Sequence, residues 1–189
     1  MEDGLGHSER RFDLRRRTQQ AHERLDAAVG DFHTQQDYRR YIARLGAFRS
    51  AMDTALGGIV WPSGWLWQPT VIAGALAADA ADLDLPPALP RGADFDLCDT
   101  SVLLGALYVL EGATLGARVL RQRAAALGFD ETFGARHLAL MSKDIAQWQS
   151  FLLLLDGVSD FEAERAAASA NAVFAFALRC FESDRVAAV

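Results

Sequence analysis

The sequence predicts an all-α fold, a single-domain helical bundle, on three observations. Apolar residues recur at three- and four-residue spacings along almost the whole chain; runs of β-branched residues that would indicate strands are missing. The third is size: 189 residues, 51% hydrophobic and 23% charged, suffice for one sizeable core. Residues 1–11 read as a flexible N-terminal tail and 12–186 as one helical domain, since no internal repeat or linker separates two units.

The elements follow in order. A first helix runs from about Phe12 to Val29, with Leu14, Thr18, Ala21, His22, Leu25 and Val29 along one stripe and Gly30 to stop it. A second starts at Thr34, which forms a capping box with Asp37, and carries Tyr38, Tyr41, Ile42, Leu45, Phe48 and Met52 inward until Gly57 and Gly58. Trp61, Trp65 and Trp67, with Pro62 and Gly64, make an aromatic connector that packs on the bundle. Pro69 then opens a helix ending near Leu83, and Pro86, Pro87, Pro90 and Gly92 make a loop. A long helix, capped by Asp99 or Thr100, continues through Leu103, Leu107, Leu110 and Leu120 to Gly128. Two more run from about Asp144 to Asp156, with Ile145, Trp148, Phe151, Leu152 and Leu155 inward, and from about Phe161 to Asp184, with Ala170, Phe174, Ala177, Leu178 and Phe181 inward.

Charge and composition exclude several classes. Nineteen Lys and Arg against 25 Asp and Glu leave a net charge of −6, against a nucleic-acid partner, which needs surplus phosphate-neutralising charge. The start of the chain is polar and Arg-rich, and no stretch reaches the ~20 uncharged apolar residues of a bilayer span, so a cytoplasmic protein without a membrane partner is expected. Cys98 and Cys180, far apart and outside any CxxC, read as buried thiols.

Of the four histidines, none makes an HExxH or a Glu-x-x-His, which disfavours zinc and di-iron carboxylate chemistry. His7, His33 and His137 read as structural or solvated. His22 lies mid-helix where the apolar stripe meets an Arg-bearing face, and is either a metal ligand or a half-buried, hydrogen-bonded histidine. In the long helix, Gly105, Gly112 and Gly116 each cost about 1 kcal/mol relative to Ala. With Val109 and Ala113 they fall on one side, a strip almost bare of side chains that suits either close helix packing or a ligand against the backbone. A mid-helix histidine, an arginine cluster and a bare strip together suit a flat, apolar, dianionic ligand, and haem fits that description.

Two segments carry a family resemblance. Leu14-Arg15-Arg16-Arg17-Thr18-Gln19-Gln20-Ala21-His22-Glu23-Arg24-Leu25-Asp26 resembles the proximal helix of haem oxygenases, in which a Thr precedes the axial His by four residues. Leu107-Tyr108-Val109-Leu110-Glu111-Gly112-Ala113-Thr114-Leu115-Gly116-Ala117 is similar to the distal helix of their bacterial, biliverdin-producing branch. The resemblance implies a haem-oxygenase-like helical bundle that cleaves haem to biliverdin, carbon monoxide and ferrous iron with O2 and external electrons, haem being both substrate and cofactor.

It also implies roles. His22 would be the iron ligand; Gly112, Thr114 and Gly116 would form the catalytic distal backbone; Arg15, Thr18, Ala113 and Arg118 would bind haem, Arg15 through a propionate. Ala113 stands where mammalian-type enzymes carry Asp, and the Trp67-Gln68-Pro69 region lacks arginines common in relatives. With no Gly-rich dinucleotide sequence in the chain, electrons would come from a ferredoxin, flavodoxin or flavoprotein reductase, docked at an arginine rim of Arg10, Arg11, Arg15, Arg16 and Arg17. The product would serve iron acquisition or a bacteriophytochrome. A non-enzymatic haem-binding or sensory protein of the same fold is the alternative.

Overall fold

The computed structural model describes residues 8–88 and 95–182, and among these the chain forms seven helices and no strand. Helix α1 spans Glu9–Val29, α2 Gln35–Gly57, α3 Ala73–Asp82, α4 Thr100–Ala126, α5 Arg136–Met141, α6 Ala146–Gly157 and α7 Ala163–Glu182. The N-terminal residues His7 and earlier, Pro90 and Gly92 of the loop, and the end of the last predicted helix at Asp184 lie outside the described residues.

Helix α1 begins three residues before the periodicity predicts. Ser8 caps it by accepting from the Arg11 N–H, and the same hydroxyl donates to Asp156 at 2.9 Å, which ties the helix start to the end of α6. Residues 8–11 are therefore helix start rather than tail. The Thr34–Asp37 capping box of α2 and the Asp99 cap of α4 form as expected. Pro69 does not open α3, which starts only at Ala73; the residues before it form no regular element, and Thr70 among them is held by Glu111 of α4. Helix α5 is only six residues long, too short for a periodic apolar stripe, and His137 lies at its start.

Helix α7 is the spine. Its buried stripe of Ala166, Ala170, Val173, Phe174, Ala177 and Phe181 packs against both α1 and α4. Gly105 permits the α4 contact, since a Cβ there would collide with the Ala166 carbonyl, and Ser169 Oγ donates to the Val102 carbonyl at 2.7 Å beside it. Helices α1 and α4 also both touch α6, yet they do not pack closely on one another. The aromatic connector closes one side through Trp67, whose ring lies 5.3 Å from Phe151, and through Gln147, which donates to the Gln68 carbonyl. Helix α4 is long and apolar enough to cross a membrane by length and composition, but half of its most apolar stretch is buried in the bundle, including the carboxylate of Glu111.

Of the two thiols, Cys180 is buried as expected. Cys98 is exposed, in the segment leading to α4 beside Asp96.

Candidate functional site

Four residues define one stripe of α1. At about 100° per residue Arg11, Arg15, Thr18 and His22 fall within a narrow arc of the helix, while Arg10, Arg16 and Arg17 point elsewhere. The corresponding stripe of α4 is Tyr108, Gly112, Leu115, Gly116 and Val119. The two stripes meet at one level, where the buried Thr18 hydroxyl is a hydrogen-bond partner of the Tyr108 phenol and donates to the Leu14 carbonyl at 2.8 Å. Burial pushes the Tyr108 pKa up, and Thr18 together with the positive charges of Arg11 and Arg15 opposes that rise.

One turn beyond Thr18 lies His22. Its side chain is 59% exposed, more open than a half-buried histidine. Nδ1 lies 3.0 Å from the Asp26 carboxylate, and the ring stands edge-on to Phe174 of α7 at 5.7 Å. An N–H at Nδ1 facing Asp26 leaves the Nε2 lone pair as the donor atom, the arrangement a metal-ligating imidazole needs.

One turn beyond Tyr108 the α4 backbone is bare. A Cβ on Gly112 would meet only the Trp148 ring, at 3.8 Å, and one on Gly116 would meet nothing within 4 Å. The three predicted strip glycines therefore divide. Gly105 serves helix packing against α7, whereas no other part of the described chain fills the space over Gly112 and Gly116. Ala113, Leu115 and Val119 are exposed around them, which leaves an open apolar strip.

The remaining predicted site residues are placed differently. Thr114 lies on the side of α4 away from the glycines, and its hydroxyl hydrogen is committed to the Glu111 carbonyl at 2.6 Å. Arg118 is exposed roughly a third of a turn from Gly112, and no described contact brings it to the cleft. Thr18, predicted to touch the ligand, is buried between its own backbone and Tyr108.

The predicted arginine rim is partly consumed within the chain. Arg10 caps the end of α6 by donating to the Leu155 and Val158 carbonyls and lies 4.6 Å over Phe161. Arg16 and Arg17 both pair with Asp13, and Arg17 also pairs with Glu164. Arg11 and Arg15 form no ion pair among the described residues.

Two buried polar assemblies join partners that sequence reasoning did not pair. Glu111, wholly buried, accepts from the Thr70 N–H at 2.7 Å and hydroxyl at 2.8 Å, with Arg49 nearby; burial raises its pKa. Asp79, His137 and Tyr41 form the second, at the junction of α2, α3 and α5. His137, expected to be structural or solvated, is thus structural. A separate surface hollow of about 460 Å³, lined by Arg24, Ala28, Arg44 and Phe181 among others, contains none of the predicted site residues.

No protein-family model matches the sequence. Heme oxygenase PigA of Pseudomonas aeruginosa is 45% identical over 109 residues, 54% of this chain and 52% of that protein, so the chain spans about half the length of this curated relative in the match. A crystal structure of NO- and CO-bound heme oxygenase from Neisseria meningitidis is similar in fold, with a TM-score of 0.67 over 94% of each chain at 23% identity. Over about half its length this chain is thus similar in sequence to a haem oxygenase, and over nearly all of it the chain has the fold of one.

Proposed function

We propose that the chain is a haem oxygenase that opens haem to biliverdin, carbon monoxide and ferrous iron, with O2 and electrons from an external donor. The observation that carries this reading is the open backbone of Gly112 and Gly116, on the helix face that Tyr108 shares with Thr18 and hence with the His22 stripe. A flat ligand needs such a surface, and an iron centre needs an imidazole such as that of His22.

The residues present fit the group. His22 Nε2 would hold the iron, with Asp26 fixing the ring's tautomer and orientation through Nδ1. Bound haem supplies both the O2-activating centre and the carbon skeleton that is oxidised. Gly112 and Gly116 let the distal backbone approach closely, and carbonyl groups there, rather than the Thr114 hydroxyl, would orient water over the ligand. Ala113 adds little bulk at the border of the strip. Arg15 and Tyr108 together would hold a carboxylate, Arg15 through charge and Tyr108 through its phenol, whose raised pKa keeps it protonated and a donor. Phe174 and Trp148 supply apolar walls that exclude water.

A ferredoxin, flavodoxin or flavoprotein reductase would deliver the electrons, and a bacteriophytochrome is one recipient for the product. A cytoplasmic location suits both partners.

Anaerobic titration with ferric haem, then aerobic reduction with catalase present and chromatography of the pigment, tests the reading. Stoichiometric uptake and a biliverdin product are expected. Failure to bind haem, or intact haem after prolonged reduction, would overturn it.

A further inference from the structure

Between Asp53 and Asp79 the chain runs through 25 residues, 54–78, without a charged side chain. The next longest such run, the 13 residues 166–178, follows from burial, since it lies along the packed stripe of α7. Burial does not account for the first. Its middle is the aromatic connector, where Val60, Leu66 and Val71 are 95%, 97% and 77% exposed.

The connector is nonetheless held firmly. Thr70 uses every polar group it has: its N–H and hydroxyl donate to Glu111, and its carbonyl accepts from Arg49. The Trp67 ring lies against Phe151, and Gln147 donates to the Gln68 carbonyl. Between these points a turn is closed by the Trp65 N–H on the Pro62 carbonyl at 3.3 Å, with the Trp61 and Trp65 rings 6.3 Å apart. Val60 and Leu66 flank that turn, and Val71 follows the pinned Thr70. Exposed apolar residues grouped on a fixed backbone mark an interaction surface. Two rings, Phe151 and Trp148, stand between Trp67 and the strip at Gly112, so this surface is distinct from the one that faces the ligand.

We propose that the connector is a self-association surface, through which two copies of this chain pair about a two-fold axis. Charge commits it to this occupant. A chain of net charge −6 repels its own copy over most of its surface, and burying ions is costly, so two copies meet best where neither carries charge. A two-fold contact sets one patch against itself, and an uncharged patch meets its copy without like-charge repulsion. An acidic redox partner or an anionic lipid surface would need Lys or Arg in this segment, and residues 54–78 have neither. The pinned backbone also spares the cost of ordering a loop on association. With one short segment from each copy the interface falls in the small class, below about 1,200 Å², so the dimer is expected to dissociate at micromolar concentrations. This goes beyond the haem reading and does not depend on it.

Sedimentation velocity of the ligand-free protein, from about 1 to about 200 µM, tests the proposal across the expected dissociation constant. The mass should rise from that of one chain towards that of two. Leu66→Glu and Val60→Glu each set like charges against one another near the axis and should weaken pairing at least about tenfold. Both side chains already stand in water, so Tm measured at the lowest concentration should not change, which separates loss of pairing from loss of fold. Haem uptake should be equal in both variants and the wild type. A wild-type protein that stays monomeric throughout would overturn the proposal, as would a dimer that survives both substitutions. A monomer that instead sediments with neutral phosphatidylcholine vesicles would give the surface to lipid and overturn it too. Each of these results leaves the haem reading standing, because no ligand is present in the measurement.

Discussion

Asp79 of α3 and His137 of α5 are both fully buried, and their side chains meet at 2.7 Å, Nδ1 against Oδ2. The same carboxylate accepts the backbone N–H of His137 at 2.9 Å, while its other oxygen takes the Arg136 N–H. Burial alone would raise the Asp79 pKa; the hydrogen bonds from His137 and Arg136 outweigh it and hold the value below the usual carboxylate range. His137 is pushed down by burial, partly opposed by Asp79. Tyr41 covers the far ring nitrogen at 3.4 Å.

A pH dependence follows. Both groups titrate lower in the folded chain than in the unfolded one, so the unfolded chain binds more protons in acid and stability falls with pH. The His137 share is complete above its unfolded pKa of about 6.5 and is lost as the pH falls towards its lower folded value; that of Asp79 is complete above about 3.9 and lost below. Thermal melting of the apo protein should be insensitive to pH above about 7 and drop as the pH falls from about 6.5 to 5. His137→Asn keeps an N–H for Asp79 but cannot titrate, and should flatten that drop while lowering Tm throughout. An equally steep fall in the variant would remove His137 as its source.

The glycines of α4 should respond in opposite directions. Gly105→Ala drives a methyl into the Ala166 carbonyl, and overpacking of this kind costs about 1–3 kcal/mol. Gly116→Ala meets nothing, so the apo protein should gain up to about 1 kcal/mol of helix propensity. Haem affinity should nevertheless fall in Gly116→Ala, and further in Gly116→Leu. Urea unfolding of the apo protein beside haem titration separates the two effects. A Gly116→Leu variant that binds haem like the wild type would place the ligand elsewhere.

His22 makes little contact with the core, so His22→Ala should change apo stability by no more than about 0.5 kcal/mol. It should nevertheless abolish the absorption spectrum of histidine-ligated haem. Asp26→Asn leaves the imidazole in place and weakens the hold on Nδ1, so the spectrum should persist while the iron–imidazole stretch in resonance Raman moves to lower frequency. An unshifted stretch would mean that Asp26 does not reach the ring in the bound state.

These contrasts mark what the sequence could disclose. The α1 stripe, the Thr34 and Asp99 caps and the spine of α7 were legible, because each depends on spacing within one helix. Gly105 and Gly112 have the same spacing signal, and only the path of α7, which crosses α4 at Gly105, gives them different roles. Arg11 read as a surface cation because Trp148, over whose ring its guanidinium carbon lies at 5.8 Å, is far away in sequence. Asp79 sits in an alanine-rich segment without a visible partner, and its partners Arg136 and His137 belong to a helix too short to show periodicity. Pairings between distant segments leave no period in a sequence.

Glu111 completes the argument, because it adjoins Gly112 yet holds the connector rather than the ligand. Its two oxygens accept from both donors of Thr70, and Arg49, itself buried, donates to the Thr70 carbonyl at 3.2 Å and to Asp53 at 3.1 Å. Arg49 Nε has no hydrogen-bond partner, so this cation depends on the charges around it. Glu111→Ala would strand the Thr70 donors and deprive Arg49 of a nearby anion, a loss of about 3 kcal/mol or more. Burial raises the Glu111 pKa, so its ionised form costs stability, a cost absent below about pH 4.3 and growing as the pH rises through the raised folded value. Glu111→Gln relieves that cost but turns an N–H₂ towards a donor of Thr70, so it should destabilise less than Ala. Denaturation of both variants beside haem titration checks the order: the connector should loosen, seen as faster protease cleavage near Trp61–Trp67, before haem affinity declines. Loss of haem binding at full stability would instead assign Glu111 to the ligand.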